Sequence, residues 1–348
     1  MSHDDTSEPT FTALIGSYNG ADRIGAALDA LQSQVTDFSF EVIVVNDGSS
    51  DLTGSVANRD GVRVINLDEN QGHGHALNVG LEHARGRFIA MLDDDCVPPA
   101  DWIERLGLTW NLVDDSVTVI GGLVEPYETN TLNRRYVQFR RPLRHQEEAI
   151  NESASFWTRL KYQLSPPTVD PLPRPVFYTV GANMSLRTSA AREVGGFSEV
   201  RGAGEEESIA RPLRSRFGPN TVQLFPDIVM YHDFKGELRD TLKRSQHYGR
   251  TNGQQWVSQH KLPSVSSLVP GAFIASALFW LVSPLAAVVI FVLSPYVLYR
   301  RWFRWRRQGG PWESIFYPYI EAAEDMSSNL GFLRGAWHQI RAKRSSHT

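Results

Sequence analysis

Cysteine is nearly missing from this chain: of 348 residues, only Cys96 carries a thiol. That excludes a disulfide framework within the chain and makes a reducing compartment the expected setting. Surplus positive charge is missing too, and a formal net charge of −4 argues against nucleic acid as a bulk electrostatic partner. Residues 1–10 are polar and acidic; without the basic and apolar regions of a secretory signal they read as a frayed tail. Charge of either sign is absent from 268–299, so a change of solvent is expected there. What is present suffices for a sizeable core, since 41% of residues are hydrophobic and the length suits one large or two modest domains.

Apolar, β-branched runs at 11–15, 41–45, 62–67 and 88–92 alternate with helical segments, and over 23–34 Ile24, Leu28 and Leu31 share one face. Such alternation predicts an α/β fold with right-handed crossovers and a mainly parallel sheet, with ligands beyond the carboxyl ends of the strands. Gly16-Ser17-Tyr18-Asn19-Gly20, Asn46-Asp47-Gly48-Ser49-Ser50-Asp51 and Asp93-Asp94-Asp95 follow three of these strands. Singly, the first two are ordinary turn chemistry and the third would serve as a helix cap. Together they place oxygen donors along one sheet edge. Hard ions such as Mg²⁺ or Mn²⁺ need only one or two protein carboxylates when substrate phosphates supply other ligands. Glycines around His73 and His75 let backbone N–H groups approach a phosphate, with the two histidines as candidate phosphate or base contacts. Gly204-Glu205-Glu206-Glu207 is a second acidic cluster, equally suited to start a helix.

With Asn70-Gln71-Gly72-His73-Gly74-His75-Ala76-Leu77-Asn78, Gly181-Ala182-Asn183-Met184-Ser185 and Gly195-Gly196-Phe197, these pieces resemble the family 2 glycosyltransferases, Asp93-Asp94-Asp95 standing as their DXD motif. The resemblance is to membrane-associated members that build bacterial cell-surface polysaccharides or glycolipids. It implies the GT-A fold, a Rossmann-like mixed sheet binding a nucleotide-diphosphate sugar, over 11–235. Ser17, Tyr18, Asn19, Asp47, Gly72, His73, His75, Asp93 and Asp94 would then hold the donor. In that scheme Tyr18 lies against the base, Asp47 accepts from a uracil-type ring N–H and Asp93 holds the ribose. Asp94 is expected to turn away, because neighbouring residues leaving a strand point to opposite faces. Asp95 would bind the metal, aided by Asp93 and His232, and Gly181, Ala182 and Asn183 would meet the acceptor sugar. The family's base is usually an aspartate after a glutamate; here Glu206 occupies that place, with Glu205 beside it.

The activity implied is inverting, metal-dependent transfer of one sugar, preferably from a UDP-sugar, to a hydroxyl of a lipid-linked or other saccharide acceptor. The Gln-x-x-Arg-Trp pattern of processive synthases is absent around 246–250, which favours single addition. Alternatives are a polyprenyl-phosphate sugar synthase, a nucleotidyltransferase, or a catalytically silent membrane scaffold. A nucleotidyltransferase would need a basic, Gly-rich triphosphate loop that 16–20 does not resemble, and a scaffold would have lost Asp95 and Glu206.

The C-terminal third is expected to attach to membrane lipids. Amphipathic connecting helices over 236–267 lead to a transmembrane or re-entrant hairpin over 268–299, broken near Ser283-Pro284, with one kinked crossing or a buried core hairpin as alternatives. Basic residues on both flanks put both ends, and the catalytic domain, on the cytoplasmic face of the plasma membrane. Trp302 and Trp305 are expected at headgroup level, and the basic, amphipathic tail over 300–348 at the interface. Five arginines over 133–144 would contact anionic headgroups or the phosphates of a lipid-linked acceptor, or form a solvated basic helix.

Overall fold

Strand β1 (Phe11–Ser17) is buried along its whole length, and the alternation of its side chains explains why. Phe11, Ala13 and Ile15 enter one hydrophobic cluster, while Leu14 enters another on the opposite face. A strand buried on both faces belongs at the centre of a sheet covered by helices. The computed structural model describes residues 8–143, 147, 155, 157–158, 172–199, 204–259 and 268–345. It divides into two compact units, residues 1–127, 141–151 and 169–233 forming the first and 128–140, 152–168 and 234–348 the second.

The first unit is a nine-stranded mixed sheet of order β3-β2-β1-β4-β8-β6-β9-β5, with β7 beside β9. Its strands are β2 (Phe40–Asn46), β3 (Val62–Asn66), β4 (Phe88–Met91), β5 (Cys96–Val97), β6 (Val119–Pro126), β7 (Arg174–Pro175), β8 (Met184–Arg187) and β9 (Val222–His232). Helices α1 (Ile24–Gln32) and α4 (Trp102–Leu112) contribute to the first cluster. Helices α3 (His73–His83), α6 (Thr188–Glu193) and α7 (Glu205–Phe217) contribute to the second, and short α2 (Thr53–Ala57) follows β2. Parallel pairing of β1 with β2 and β4 sets Ser17 opposite Asn46 and Leu14 opposite Met91. The exits of three strands therefore share one edge, as the sequence predicts for an open parallel sheet.

The second unit is helical: α5 (Leu132–Arg140), α8 (Leu238–Gln259), α9 (Leu268–Phe279), α10 (Pro284–Leu298), α11 (Arg301–Arg307) and α12 (Tyr317–Ser345). Its apolar centre joins Tyr136 and Phe139 of α5 to Tyr317 and Ile320 of α12. Trp302 and Trp305 are partly buried and pack against that centre. The described arginines of the basic segment, expected to meet headgroups or to form a solvated helix, are paired with acids of the chain. Arg134 pairs with Glu128, Arg135 with Glu313, Arg140 with Glu324 and Arg141 with Glu125; Arg144 lies outside the described residues.

Within 268–299, α9 and α10 fold back on each other, the Ser276 hydroxyl donating to Ala287 O at 2.7 Å and Phe273 lying 4.6 Å from Phe291. Ser283 caps α10 by accepting from Ala286 N, with Pro284 in the first turn. At ~1.5 Å per residue neither helix reaches the ~30 Å of a bilayer core. No single helix among the described residues is long and apolar enough to cross a membrane; a bent pair, Pro284–Leu298 with Arg301–Arg307 at 63°, meets the length and composition needed.

Candidate active site

The turn after β4 carries the three aspartates, and their fates differ. Asp94 turns to β1 and α1: its carboxylate accepts from the Ser17 hydroxyl and from both Arg23 Nε and Nη2 at 3.1 Å. It is buried by this clamp, so it ties the turn to the sheet, as its place on the other face of the strand exit suggested. A Cβ on Gly20 would lie 2.1 Å from Asp94 Oδ2, so only glycine leaves room for the clamp. Arg23 is a residue that motif reading passes over. The signal was available: a buried carboxylate needs a partner, and Arg23 is the nearest cation following the β1 exit.

Asp93 and Asp95 stay together. Ligand atoms of Asp93, Asp95 and Cys96 lie within 4.8 Å of one another, and His232 Nε2 lies 3.1 Å from Asp95 Oδ1. The backbone explains the meeting, since β5 pairs with the end of β9, Cys96 opposite His232, and Asp233 N donates to Asp95 O at 2.8 Å. Burial, then the charges of Asp95, Glu206, Asp94 and Glu205, push the Asp93 carboxyl well above the carboxylate range. Burial and Asp94 push Asp95 up to about 6, against the pull of Arg23. Crowded acids held so close fit a divalent cation, whose charge would reverse both shifts. The Cys96 thiol is a poor ligand for it, being fully buried, pushed up by burial and donating to Ala182 O at 3.8 Å. A hard ion also prefers oxygen.

Glu205 and Glu206 open α7. Glu206 is half-buried, and its Oε1 accepts from Gly181 N at 3.2 Å. Burial raises its carboxyl above the ordinary range; Glu205 adds to the rise, while its own backbone N–H, that of Gly181 and His73 oppose it. A Cβ on Gly181 would press on Glu206 Oε1 at 3.3 Å. Gly181 thus admits and aims the carboxylate that Asp93 senses.

Other predicted residues are placed as follows. Tyr18 is 48% exposed at the β1 exit, leaving an open ring face. Asn19, at φ 50°, accepts from Ser50 N at 2.9 Å while its own N–H donates to Ser49 Oγ at 3.0 Å, so it laces the first two loops together. Asp47 is buried and accepts from Gln71 N at 2.8 Å and from Gly72 N and Asn70 Nδ2 at 2.9 Å. It organises the turn into α3, where Gly72 has φ 104°. His73 packs on Gly16, whose Cβ would lie 3.1 Å from the ring. His75 faces Glu199 at 3.2 Å. Asn78 exchanges hydrogen bonds with the Phe197 backbone at 2.8 and 2.9 Å, tying α3 to the segment after α6.

Ala182 is buried, and Asn183 lies in the core. The Asn183 amide donates to Leu123 O at 2.8 Å and Ile228 O at 3.0 Å and accepts from Trp102 Nε1 at 3.0 Å. Both of its N–H groups and its oxygen are engaged, which leaves Gly181 as the member of that trio beside an acidic side chain of the site.

A sequence model described as Glycosyl transferase family 2 matches residues 12–194. Glycosyltransferase AglE of Haloferax volcanii is 36% identical over 139 residues, 38% of this chain and 45% of that protein. The putative glycosyltransferase EpsH of Bacillus subtilis is 40% identical over 101 residues, 28% of this chain and 27% of that protein. The chain thus spans less than half the length of these curated relatives. Among solved structures, the mannosyltransferase PcManGT of Pyrobaculum calidifontis in complex with GDP-Man and Mn²⁺ shares the fold at TM-score 0.60 and 18% identity, over 94% of this chain and 88% of that one. The chain belongs to glycosyl transferase family 2 and has the GT-A fold.

Proposed function

We propose that this protein moves one sugar from a nucleoside-diphosphate donor to a hydroxyl of a lipid-linked or other saccharide acceptor, with inversion at the anomeric carbon, on the cytoplasmic face of a membrane. The observation that carries the reaction is the pairing of Asp93 and Asp95 at the β4 exit with Glu206, in the first turn of α7 and aimed by Gly181, close enough for its charge to bear on Asp93.

Asp95 and Asp93, with His232, would hold a divalent cation. When bound, it offsets negative charge on the departing diphosphate as a Lewis acid. Glu206 takes the acceptor hydroxyl proton as the oxygen attacks the anomeric carbon, and the bond to the phosphate oxygen breaks in the same displacement. Glu206 is preferred to Glu205 because it is the one hydrogen-bonded to Gly181 N, with its carboxyl raised by burial. Tyr18 offers its open ring to the base, and the first turn of α3 presents its backbone N–H groups to the diphosphate.

Membrane attachment is supported by the apolar side chains that α9, α10 and their connection leave exposed, among them Ile274, Leu278, Leu281, Val282 and Leu285. The GDP-Man and Mn²⁺ of the structural neighbour put guanosine donors beside uridine donors as first candidates. The test is transfer from UDP- and GDP-sugars to extracted lipid and to soluble saccharides, with Mg²⁺ or Mn²⁺. Loss of transfer in Asp95→Ala supports the reading; full activity would overturn it. Transfer to soluble acceptors alone would remove its lipid part.

A further inference from the structure

Helices α8 and α12 of the helical unit touch through glycines. A Cβ on Gly249 would lie 2.0 Å from Ser328 O, one on Gly253 2.1 Å from Phe332 O, one on Gly331 2.0 Å from Gln246 O and one on Gly335 2.0 Å from Arg250 O. Contact numbers rise together along both helices, so the helices run in the same direction at a separation that only small residues permit. Beside this seam opens a groove of about 520 Å³ with Gly331 in its wall, within the size range of small-ligand sites.

The groove's chemistry is one-sided. Lys243, His247 and Arg250 line it from α8, and Arg334, His338 and Arg341 from α12. Each triplet is spaced i, i+4, i+7, which puts three nitrogen-bearing side chains on one helical face. Among the described residues the lining includes no Asp or Glu, and no carboxylate lies within ion-pair distance of Lys243, Arg250 or Arg334. In the same unit, Arg134, Arg135, Arg140 and Arg301 are all paired with glutamates. Trp337 adds a flat wall over which the Arg341 guanidinium sits at 4.8 Å.

We infer that this groove binds a phosphate-bearing anion, through the guanidinium forks of Arg250 and Arg334 and the ammonium of Lys243. Three permanent cations, Lys243, Arg250 and Arg334, converging without a described acid repel one another until an anion joins them, and arginine matches phosphate oxygens two at a time. The phosphate is either that of a lipid headgroup or that of a soluble diphosphate. The inference stands apart from glycosyl transfer, since its residues belong to the other unit.

Two probes distinguish the sources in the full chain. Sodium pyrophosphate is titrated by calorimetry, and flotation is measured with vesicles of phosphatidylcholine with and without phosphatidylglycerol. Arg250→Glu with Arg334→Glu is compared with Arg304→Glu and Arg307→Glu, exposed arginines of α11 that change the charge equally. Melting curves and a neutral pair, Arg250→Gln with Arg334→Gln, guard against misfolding. A loss of about tenfold or more in the groove variants, with the α11 variant near wild type, supports the site. Pyrophosphate binding without flotation assigns a soluble source; flotation that needs phosphatidylglycerol and is competed by pyrophosphate assigns a headgroup. Absence of binding to both probes, or equal loss in both variant pairs, overturns the inference.

Discussion

Single side chains at the strand exits divide into those that act and those that hold. Glu206 carries the heaviest expectation: Glu206→Gln keeps the shape and the Gly181 hydrogen bond but cannot take a proton, so transfer should fall by about 10²–10⁴-fold with donor affinity little changed. Single-turnover rates beside equilibrium donor binding would check both halves. Arg23 holds. Cutting it to alanine leaves buried Asp94 with the Ser17 hydroxyl alone of its clamp, which should cost about 2 kcal/mol of stability and raise the donor KM, read by urea unfolding and initial rates. Lysine should restore little of it, since one ammonium cannot replace two parallel N–H donors. The grouping of Asp93 and Asp95 was legible in the sequence because a strand exit is local and its acids need no distant partner to be noticed, whereas Glu206, in the first turn of α7, was singled out by the family resemblance. Arg23 and the engagement of Asn183 were not legible, since the first matters through Asp94 and the second through Trp102, Leu123 and Ile228.

Among elements, the seam between α8 and α12 is the least forgiving. Gly253→Ala sets a methyl group against a backbone carbonyl that cannot rotate away, and about 2 kcal/mol of destabilisation is expected. Gly271→Ala on α9 meets nothing within 4 Å and should change stability by less than ~0.5 kcal/mol. Thermal melts of the two variants make the comparison. Deeper in the unit, Arg140 and Arg301 face Glu321 and Glu324, while Asp325 accepts from the Tyr299 hydroxyl. Burial leads the causes that push Asp325 from 3.8 up to about 7. A carboxyl raised on folding contributes stability that is complete below pH ~4 and lost as pH climbs to about 7. Asp325→Asn removes that dependence, so its melting temperature should gain on wild type as pH goes from 4 to 8; a constant gap would contradict the assignment.

For the molecule as a whole, the sheet with its covering helices was readable and the helical unit largely was not. Periods of 2 and 3.6 declare a strand or helix within a few residues, whereas α5 looks like an exposed basic segment until Glu313 and Glu324 are found to meet it. The apolar stretch lay between these cases: its break at Ser283 was foreseen, but its length alone had allowed a crossing that neither α9 nor α10 makes by itself. Attachment is nonetheless expected. Replacing exposed Leu281, Val282 and Leu285 with serine should move the protein from the membrane pellet to the supernatant on fractionation, with donor hydrolysis retained; unchanged partition would oppose the proposal. Finally, α5 belongs to a unit whose other helices are encoded much later, Tyr136 and its partner Glu324 being 188 positions apart. At roughly 5–20 residues per second of synthesis, α5 leaves the ribosome on the order of 10–40 s before that partner exists. During that interval its Tyr136 and Phe139 are open to any nascent-chain chaperone, and a transcript cut after β9 would leave them so for good.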